Sequence, residues 1–224
     1  MDTDKCTSPT EIEINDEIIE NVSHFEYLGS RFVGDGSSKQ EIRRRLAIAK
    51  QKLSSLEKLW KGEDNHTKLR ILKSCIFPIA LYGCEAWTLL QSDLNRILAF
   101  EMRCYRKILR VSWTERVTNE RVRKRLNISS SHLLMQIKKQ KLSYFGHIKR
   151  HQSLERTILE GRVEGKRKRG RPRRQWEDDI RDWLQMSVEK AGRLAQDRPT
   201  FRGCVWAATT QGTAFAQDVP RVSL

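Results

Sequence analysis

A dense run of positive charge interrupts the sequence in its C-terminal third. Within residues 162–174, eight side chains are Lys or Arg and only Glu164 is acidic. Like charges packed this closely repel one another, and two glycines and Pro172 oppose helix formation, so the segment is a poor candidate for a hydrophobic core. We therefore expect an extended basic arm, with the folded parts of the chain before and after it.

Composition alone leaves three interpretations of the arm open. Short Lys/Arg runs occur as solvated linkers, as nuclear-import signals and as contacts to nucleic acid. The string R-G-R-P-R (residues 169–173) resembles the core of an AT-hook, in which an extended Arg-Gly-Arg lies in the narrow minor groove of A·T-rich DNA. After the arm, Trp176, Ile180 and Trp183 recur at helical spacing and predict an amphipathic helix that anchors it.

The net charge narrows the class of partner. A value of +15 over 224 residues favours a polyanion, and nucleic acid is the commonest large one. No apolar stretch approaches the roughly 20 residues that cross a bilayer, and the polar N-terminus does not resemble a secretory signal, so we expect no membrane partner. Five widely spaced cysteines favour free thiols and a reducing compartment, which makes the expected location nuclear or cytoplasmic.

Hydrophobic spacing predicts a mainly α fold preceded by a short β section. Alternation in E-I-E-I-N (residues 11–15) and the aromatic-rich stretch after it predict a β-hairpin or small meander. Ser38 and Glu41 have the spacing of a capping box and open the first helix. The apolar stripe of that helix comprises Ile42, Leu46, Ala49, Leu53, Leu56 and Trp60.

More helices follow. The expected order is a helical bundle, then the basic arm, which leads into C-terminal helices. Pro78 kinks or ends the second helix, because proline cannot continue the hydrogen-bond ladder. The later helices are predicted to begin near Thr67, Ser92, Thr118, Ser131 and Trp176. The expected domains are a β section at 1–35, a helical domain at 36–148, a basic linker or arm at 149–175, a helical tail at 176–210 and a disordered end at 211–224.

The sequence shows no catalytic or metal-binding constellation. The P-loop pattern, the G-x-S-x-G elbow and any C-x₂-C pair are absent. His147 and His151 are four residues apart but lack a third ligand. Asp178 and Asp179 adjoin on a predicted helix, so their side chains diverge and suit the helix dipole better than a two-metal site. We therefore assign no catalytic residue, metal, cofactor or small-molecule substrate.

Several stretches, taken in order, resemble the C-terminal part of the reverse transcriptase of non-LTR (LINE-type) retrotransposons. They are H-F-E-Y-L-G (24–29), R-R-R-L-A-I-A-K (43–50), K-L-R-I-L-K-S-C-I-F-P-I-A-L-Y-G-C-E-A-W-T-L (68–89), L-S-Y-F-G-H-I-K-R (142–150) and G-K-R-K-R-G-R-P-R-R-Q-W-E-D-D-I (165–180). The similarity covers roughly residues 12–208. It implies the edge of a palm, followed by a thumb-like helical domain and a basic tail.

The resemblance also implies roles and one departure. In that family a strand pair ending in an aromatic-Leu-Gly turn grips the primer, and the matching residues here are Phe25, Tyr27, Leu28 and Gly29. The family polymerises with paired aspartates upstream of this turn, whereas only single aspartates precede Tyr27 in this sequence. Two carboxylates are needed to hold the metal ions of phosphoryl transfer, so we expect a catalytically incomplete fragment rather than an enzyme.

The expected partner is RNA or DNA, bound mainly without regard to sequence, because phosphate contacts supply affinity but no base readout. The candidate contacts lie in the arm and in the first helix: Lys166, Arg167, Lys168, Arg169, Arg171, Arg173, Arg174, Arg43, Arg44 and Lys50. The helix arginines can equally be a solvated face with intrahelical charge pairs. The alternatives for the whole chain are an AT-hook-like DNA binder and a helical scaffold with an import signal; the preference for RNA or DNA and the oligomeric state stay open.

Overall fold

The computed structural model describes residues 12–14, 17–20, 22–34, 36–62, 64–161 and 173–210. The fold is mainly helical and begins with short β-hairpins, as predicted. Strand β1 (Ile12–Ile14) pairs antiparallel with β2 (Glu17–Ile19), and β3 (His24–Tyr27) pairs antiparallel with β4 (Ser30–Val33). The predicted loose C-terminus and most of the basic arm, residues 162–172, lie outside the described residues.

Most of the rest of the described chain is helical. A π-helical turn (Leu72–Ile76) joins α3 (Asn65–Ile71) to α4 (Phe77–Ala80), and α8 (Leu154–Glu160) lies within the segment predicted to be the arm. The α-helices are α1 (Lys39–Ser55), α2 (Leu59–Gly62), α3 (Asn65–Ile71), α4 (Phe77–Ala80), α5 (Gln91–Leu109), α6 (Asn119–Arg125), α7 (His132–Arg150), α8 (Leu154–Glu160), α9 (Trp176–Leu184), α10 (Val188–Gln196) and α11 (Arg198–Thr210).

The apolar stripe of α1 is buried as predicted, although the helix is shorter than expected. Ile42, Ala49 and Leu53 are at most 3% exposed. The helix ends at Ser55, so Trp60 lies on the separate short helix α2. Trp60 is nevertheless buried, because its indole Nε1 donates a hydrogen bond of 2.8 Å to the Leu53 carbonyl. The spacing therefore identified the buried face but not the break in the helix.

The predicted capping box at the start of α1 is wrong. Ser38 makes no side-chain cap to its own helix, and its hydroxyl instead accepts a hydrogen bond from the backbone N–H of Thr88. Glu41 is buried and pairs with the guanidinium groups of Arg44 and Arg45. Contacts from distant parts of the chain thus occupy both side chains that the local pattern assigned to the cap.

Pro78 neither ends nor breaks the second helical segment. Proline has no N–H, so the Ser74 carbonyl lacks its usual intrahelical donor. The turn before Pro78 is widened into a π-helix, in which the backbone N–H of Phe77 donates to the Leu72 carbonyl. A single wide turn thus accommodates the proline, and the helix continues as α4.

Two hydrophobic clusters form the core, and α7 contributes to both. The first contains the stripe of α1, the buried side of α5 and the N-terminal half of α7, including Leu133 and Ile137. The second joins the C-terminal half of α7, with Phe145, to α9, α10 and α11. Trp183 packs against both clusters. Helix α7 therefore links the helices of the first cluster to the C-terminal helices.

Close approach of α7 and α11 requires a small residue at position 146. A Cβ atom on Gly146 would lie only 2.6 Å from the Phe201 ring. Phe201 is buried, and its ring lies 6.1 Å from that of Phe145. The absence of a side chain at Gly146 thus allows α11 to cover the second cluster.

A buried carboxylate caps α7 from another helix. Glu101 of α5 accepts hydrogen bonds from Tyr105 Oη at 2.7 Å, from the Ser131 hydroxyl and from the backbone N–H groups of His132 and Leu133 at 2.7 and 3.2 Å. The first N–H groups of a helix have no intrahelical acceptor, so this side chain satisfies donors that burial would otherwise leave unpaired. Burial raises the pKa of Glu101, and the four donors oppose that shift.

A second buried network fixes α9. Asp179 lies in the first turn of this helix, as predicted, but it is buried and bonded to other segments of the chain. The Lys141 ammonium donates to Asp179 Oδ2 and, at 2.6 Å, to the Trp87 carbonyl; both side chains are at most 1% exposed. Asp179 Oδ2 also accepts from the Leu89 N–H at 3.2 Å. Arg174 donates to Asp179 Oδ1 at 2.7 Å. One carboxylate thus joins α9 to α7, to the segment before α5 and to the end of the arm.

Removing one partner of this network should strongly destabilise the protein. We expect Lys141→Met to lower the free energy of unfolding by about 3–5 kcal/mol, because it leaves a buried carboxylate without its main cation. Urea unfolding measures the change. Lys139→Met alters an exposed lysine on the same helix and should cost less than about 0.5 kcal/mol. Equal effects of the two substitutions would contradict a structural role for the pair.

Candidate nucleic-acid interface

The turn between β3 and β4 is held rigidly against the helices. Leu28 and Gly29 both have positive φ values, 47° and 75°, as in a two-residue type I′ turn. That conformation is unfavourable for leucine, so neighbouring contacts must maintain it. Tyr82 Oη donates to the Leu28 carbonyl at 2.9 Å, and the guanidinium groups of Arg44 and Arg45 donate to the Gly29 carbonyl.

The hairpin presents three aromatic rings to solvent on one side, which we call the aromatic face: Phe25, Tyr27 and Phe32. Phe25 and Phe32 are directly paired across the strands, and Tyr27 lies two residues beyond Phe25, so all three point to the same side of the ribbon. Their exposed fractions are 58%, 58% and 54%. The rings of Phe25 and Tyr27 are stacked, with centroids 6.4 Å apart.

A groove of about 1440 Å³ lies beside this hairpin, and we call it the hairpin groove. Five parts of the chain line it: the β3–β4 hairpin, the start of α1 with the residues before it, the segment from α3 to α4, the residues that precede α5, and α7. Its aromatic lining residues are Tyr27, Phe32, Phe77, Tyr82, Trp87 and Tyr144. Its amide, hydroxyl and basic lining residues include Gln136, Gln140, Ser74, Arg70 and Lys73.

The available charge in the hairpin groove is positive. Arg70 and Lys73 are exposed, and neither forms an ion pair with any carboxylate in the part of the chain that the structure describes. Of the two glutamates in the lining, Glu41 is already occupied by arginines of α1, which leaves Glu85. The groove is therefore suited to an anionic ligand.

His132 lies in the same lining as a neutral ring. Burial, reinforced by repulsion from the Lys73 ammonium, lowers the pKa of His132 from 6.5 to about 4. Its imidazole stacks on the buried ring of Phe77 with centroids 5.5 Å apart. His132 thus presents a flat uncharged surface at neutral pH, and Arg70 and Lys73 supply the charge.

The predicted phosphate contacts of α1 fall into two groups. Arg43 and Lys50 are exposed and unpaired within the described residues, so they are available to a ligand. Arg44 is instead occupied by Glu41 and by the Gly29 carbonyl. The structure thus gives Arg44 a role in fastening the hairpin.

The described end of the arm is also tied to the fold. Arg174 forms ion pairs with Asp179 and Asp182, each at 2.7 Å, while Arg173 is exposed. The other predicted contacts of the arm, Lys166, Arg167, Lys168, Arg169 and Arg171, lie outside the described residues, as does most of the AT-hook-like string.

Sequence reasoning placed most of the aromatic anchors correctly. Trp60 is buried, and Trp176 donates its indole N–H to the Glu85 carbonyl at 2.8 Å while packing against Tyr144 and Phe145. The same reasoning missed Phe32, Arg70 and Lys73 as lining residues. Alternation along β4 could have placed Phe32 on the aromatic face, whereas the helical charges carry no signal of a groove formed by distant segments.

Metal and membrane sites have no counterpart in the described residues. His147 and His151 lie on one side of the chain with ring centroids 4.4 Å apart, but no described group brings three potential metal ligands together. No helix among the described residues is both long and apolar enough to cross a bilayer. Comparison with known proteins adds no further assignment, because no family model, curated protein or solved structure matches the chain.

The environment of His132 predicts a pH dependence of stability. In the unfolded chain this histidine takes up a proton near pH 6.5, whereas in the fold it stays neutral down to about pH 4. Stability is therefore lost as the pH falls between these values, by at most about 2 kcal/mol from pH 7 to pH 5, because solvent screens part of the effect at a partly buried ring.

We expect His132→Gln to reduce the loss of unfolding free energy between pH 7 and pH 5, measured by urea unfolding at both values. His147→Gln changes an exposed histidine of the same helix and is the matched control. A wild-type pH dependence in the His132 variant would rule out a buried neutral ring.

Proposed function

We propose that this protein binds RNA or DNA through phosphate contacts that are largely independent of sequence. The observation that carries the proposal is a set of exposed cations on the helical domain that form no ion pair with a carboxylate of the described residues. They include Arg43, Lys50, Lys52, Lys58, Lys61, Arg70, Lys73, Arg103, Arg110, Arg121, Lys124 and Arg125.

The distribution of acids supports this proposal. Glu41, Glu101 and Asp179 are buried, and each is enclosed by internal donors. These carboxylates are therefore unable to pair with the exposed cations. Unpaired surface cations attract a phosphate backbone and release its counterions, which gives affinity without base readout.

The proposal extends to the origin of the chain. We propose descent from a non-LTR reverse transcriptase, supported by the order of the resembling stretches and by a hairpin whose turn falls at Leu28 and Gly29. No paired aspartates precede this turn within these 224 residues, so the activity that we propose for this stretch of chain is binding to nucleic acid. A primer-extension assay with Mg²⁺ or Mn²⁺ should give no product, and extension would refute this part of the proposal.

Salt dependence tests the phosphate contacts directly. For an RNA–DNA hybrid or a DNA hairpin, we expect the logarithm of the association constant to fall linearly with the logarithm of salt concentration, by about 0.9 for each phosphate contacted in B-form DNA. Fluorescence anisotropy over a salt series measures this slope. A flat response, or no binding at low salt, would overturn the proposed function.

Charge removal in the groove should change that slope. The double variant Arg70→Gln, Lys73→Gln should make it about 1–2 units less negative, because two phosphate contacts are lost. The control Lys190→Gln, Arg202→Gln removes the same charge from exposed positions on α10 and α11, outside the groove lining, and should keep more of the slope. Equal losses would show that the groove has no special share in binding.

A further inference from the structure

We propose that the hairpin groove takes single-stranded nucleic acid, with unpaired bases stacked on the aromatic face and phosphates against Arg70 and Lys73. This inference rests on the proposed function, since it assumes that the chain binds nucleic acid. It goes further by naming the form of nucleic acid that the groove accepts and the side chains that select it.

The exposure of the aromatic face is the first step. Phe25, Tyr27 and Phe32 are each more than half exposed, although other large aromatic residues such as Trp60 and Tyr105 are buried. Two of the three rings, Tyr27 and Phe32, line the hairpin groove, and Phe25 stacks on Tyr27. The rings thus form a continuous surface that reaches from solvent into the groove.

Only unpaired bases can use such a surface. Every base has a flat π-face that stacks on aromatic side chains, whereas a duplex buries those faces between its own base pairs. A phosphate-following site for duplex needs cations and no exposed rings. The combination of rings with Arg70 and Lys73 is therefore the arrangement found in single-strand binding, where a basic groove follows the backbone and aromatics hold the bases.

The aromatic face is also preorganised for a ligand. An isolated two-stranded hairpin is marginally stable in water, yet this one is fixed at its turn by Tyr82, Arg44 and Arg45. The Arg45 guanidinium lies 4.2 Å from the centroid of the Tyr82 ring, which holds both anchors in place. Rings fixed in this way lose little conformational entropy when a base stacks on them.

The size and polarity of the groove fit an extended anionic chain. Its volume of about 1440 Å³ exceeds the roughly 300–1,000 Å³ of pockets for small ligands. Gln136 and Gln140 of α7 add polar amide groups to the lining. An apolar protein segment would stack equally well on the rings, but it would leave Arg70 and Lys73 without a counter-charge, so the lining favours nucleic acid.

The test compares one sequence in two forms. The full chain is titrated into a labelled single strand of about 12 nucleotides and into a blunt duplex of the same length, with fluorescence anisotropy as the readout. We expect Tyr27→Ala, Phe32→Ala to weaken single-strand binding about tenfold and duplex binding less than twofold, because only the single strand loses stacking. Trp206→Ala removes a 68% exposed aromatic outside the groove and should change neither affinity.

A second variant keeps the test valid if the double alanine variant unfolds. Tyr27→Trp preserves a ring at the same position, so single-strand binding should persist, and the new indole should be quenched by the single strand but not by the duplex. If the single strand binds this variant without quenching the new indole, the bases lie elsewhere and the inference is wrong.

The outcomes separate this inference from the function on which it rests. If the alanine variant binds both the single strand and the duplex equally more weakly, or neither more weakly, the chain binds nucleic acid but the aromatic face does not select single strands. The inference is then wrong. If the intact protein binds neither form at low salt, the proposed function itself fails. An apolar peptide serves as a competitor. If it displaces the single strand as effectively as unlabelled oligonucleotide does, the groove binds a protein partner instead.

Discussion

The buried ion pair between Lys141 and Asp179 holds the two halves of this molecule together. A charge enclosed to this degree is tolerated only when its partners satisfy it, and here one carboxylate is bonded by an ammonium, a guanidinium and a backbone N–H. Because Arg174 belongs to the same network, the end of the basic arm has a defined place beside α7 and α9. The core clusters on either side of α7 supply apolar burial, but this network determines how their elements meet.

A similar use of charge builds the candidate interface. Arg44 and Arg45 satisfy Glu41 and the Gly29 carbonyl, which keeps the hairpin against α1 and the aromatic face in position. Two of three consecutive arginines thus make contacts within the protein, while Arg43 remains exposed. Neighbouring arginines therefore have different roles. Contacts with residues distant in sequence determine which arginine stabilises the fold and which remains available to bind a phosphate.

Much of the helical architecture could be read from the sequence, because apolar periodicity and caps are local. Helices α6 and α7 begin directly after Thr118 and Ser131 as expected, and the stripe of α1 is buried. The failures share one cause. In the sequence, Glu41 and Asp179 resemble ordinary first-turn acids. In the structure, each binds cations or backbone groups that the local sequence does not reveal. The hairpin groove was missed for the same reason, since five separate segments form it.

The most direct test of a stacking surface in the hairpin groove is to locate the bases. A single strand carrying 5-iodouracil should, after irradiation, cross-link to the protein through an aromatic ring in contact with the base, and mass spectrometry of the cross-linked peptides identifies the ring. Our account predicts cross-links at Tyr27 or Phe32, with none from a duplex of the same sequence. Cross-links confined to Trp206, or to peptides outside the groove, would contradict it.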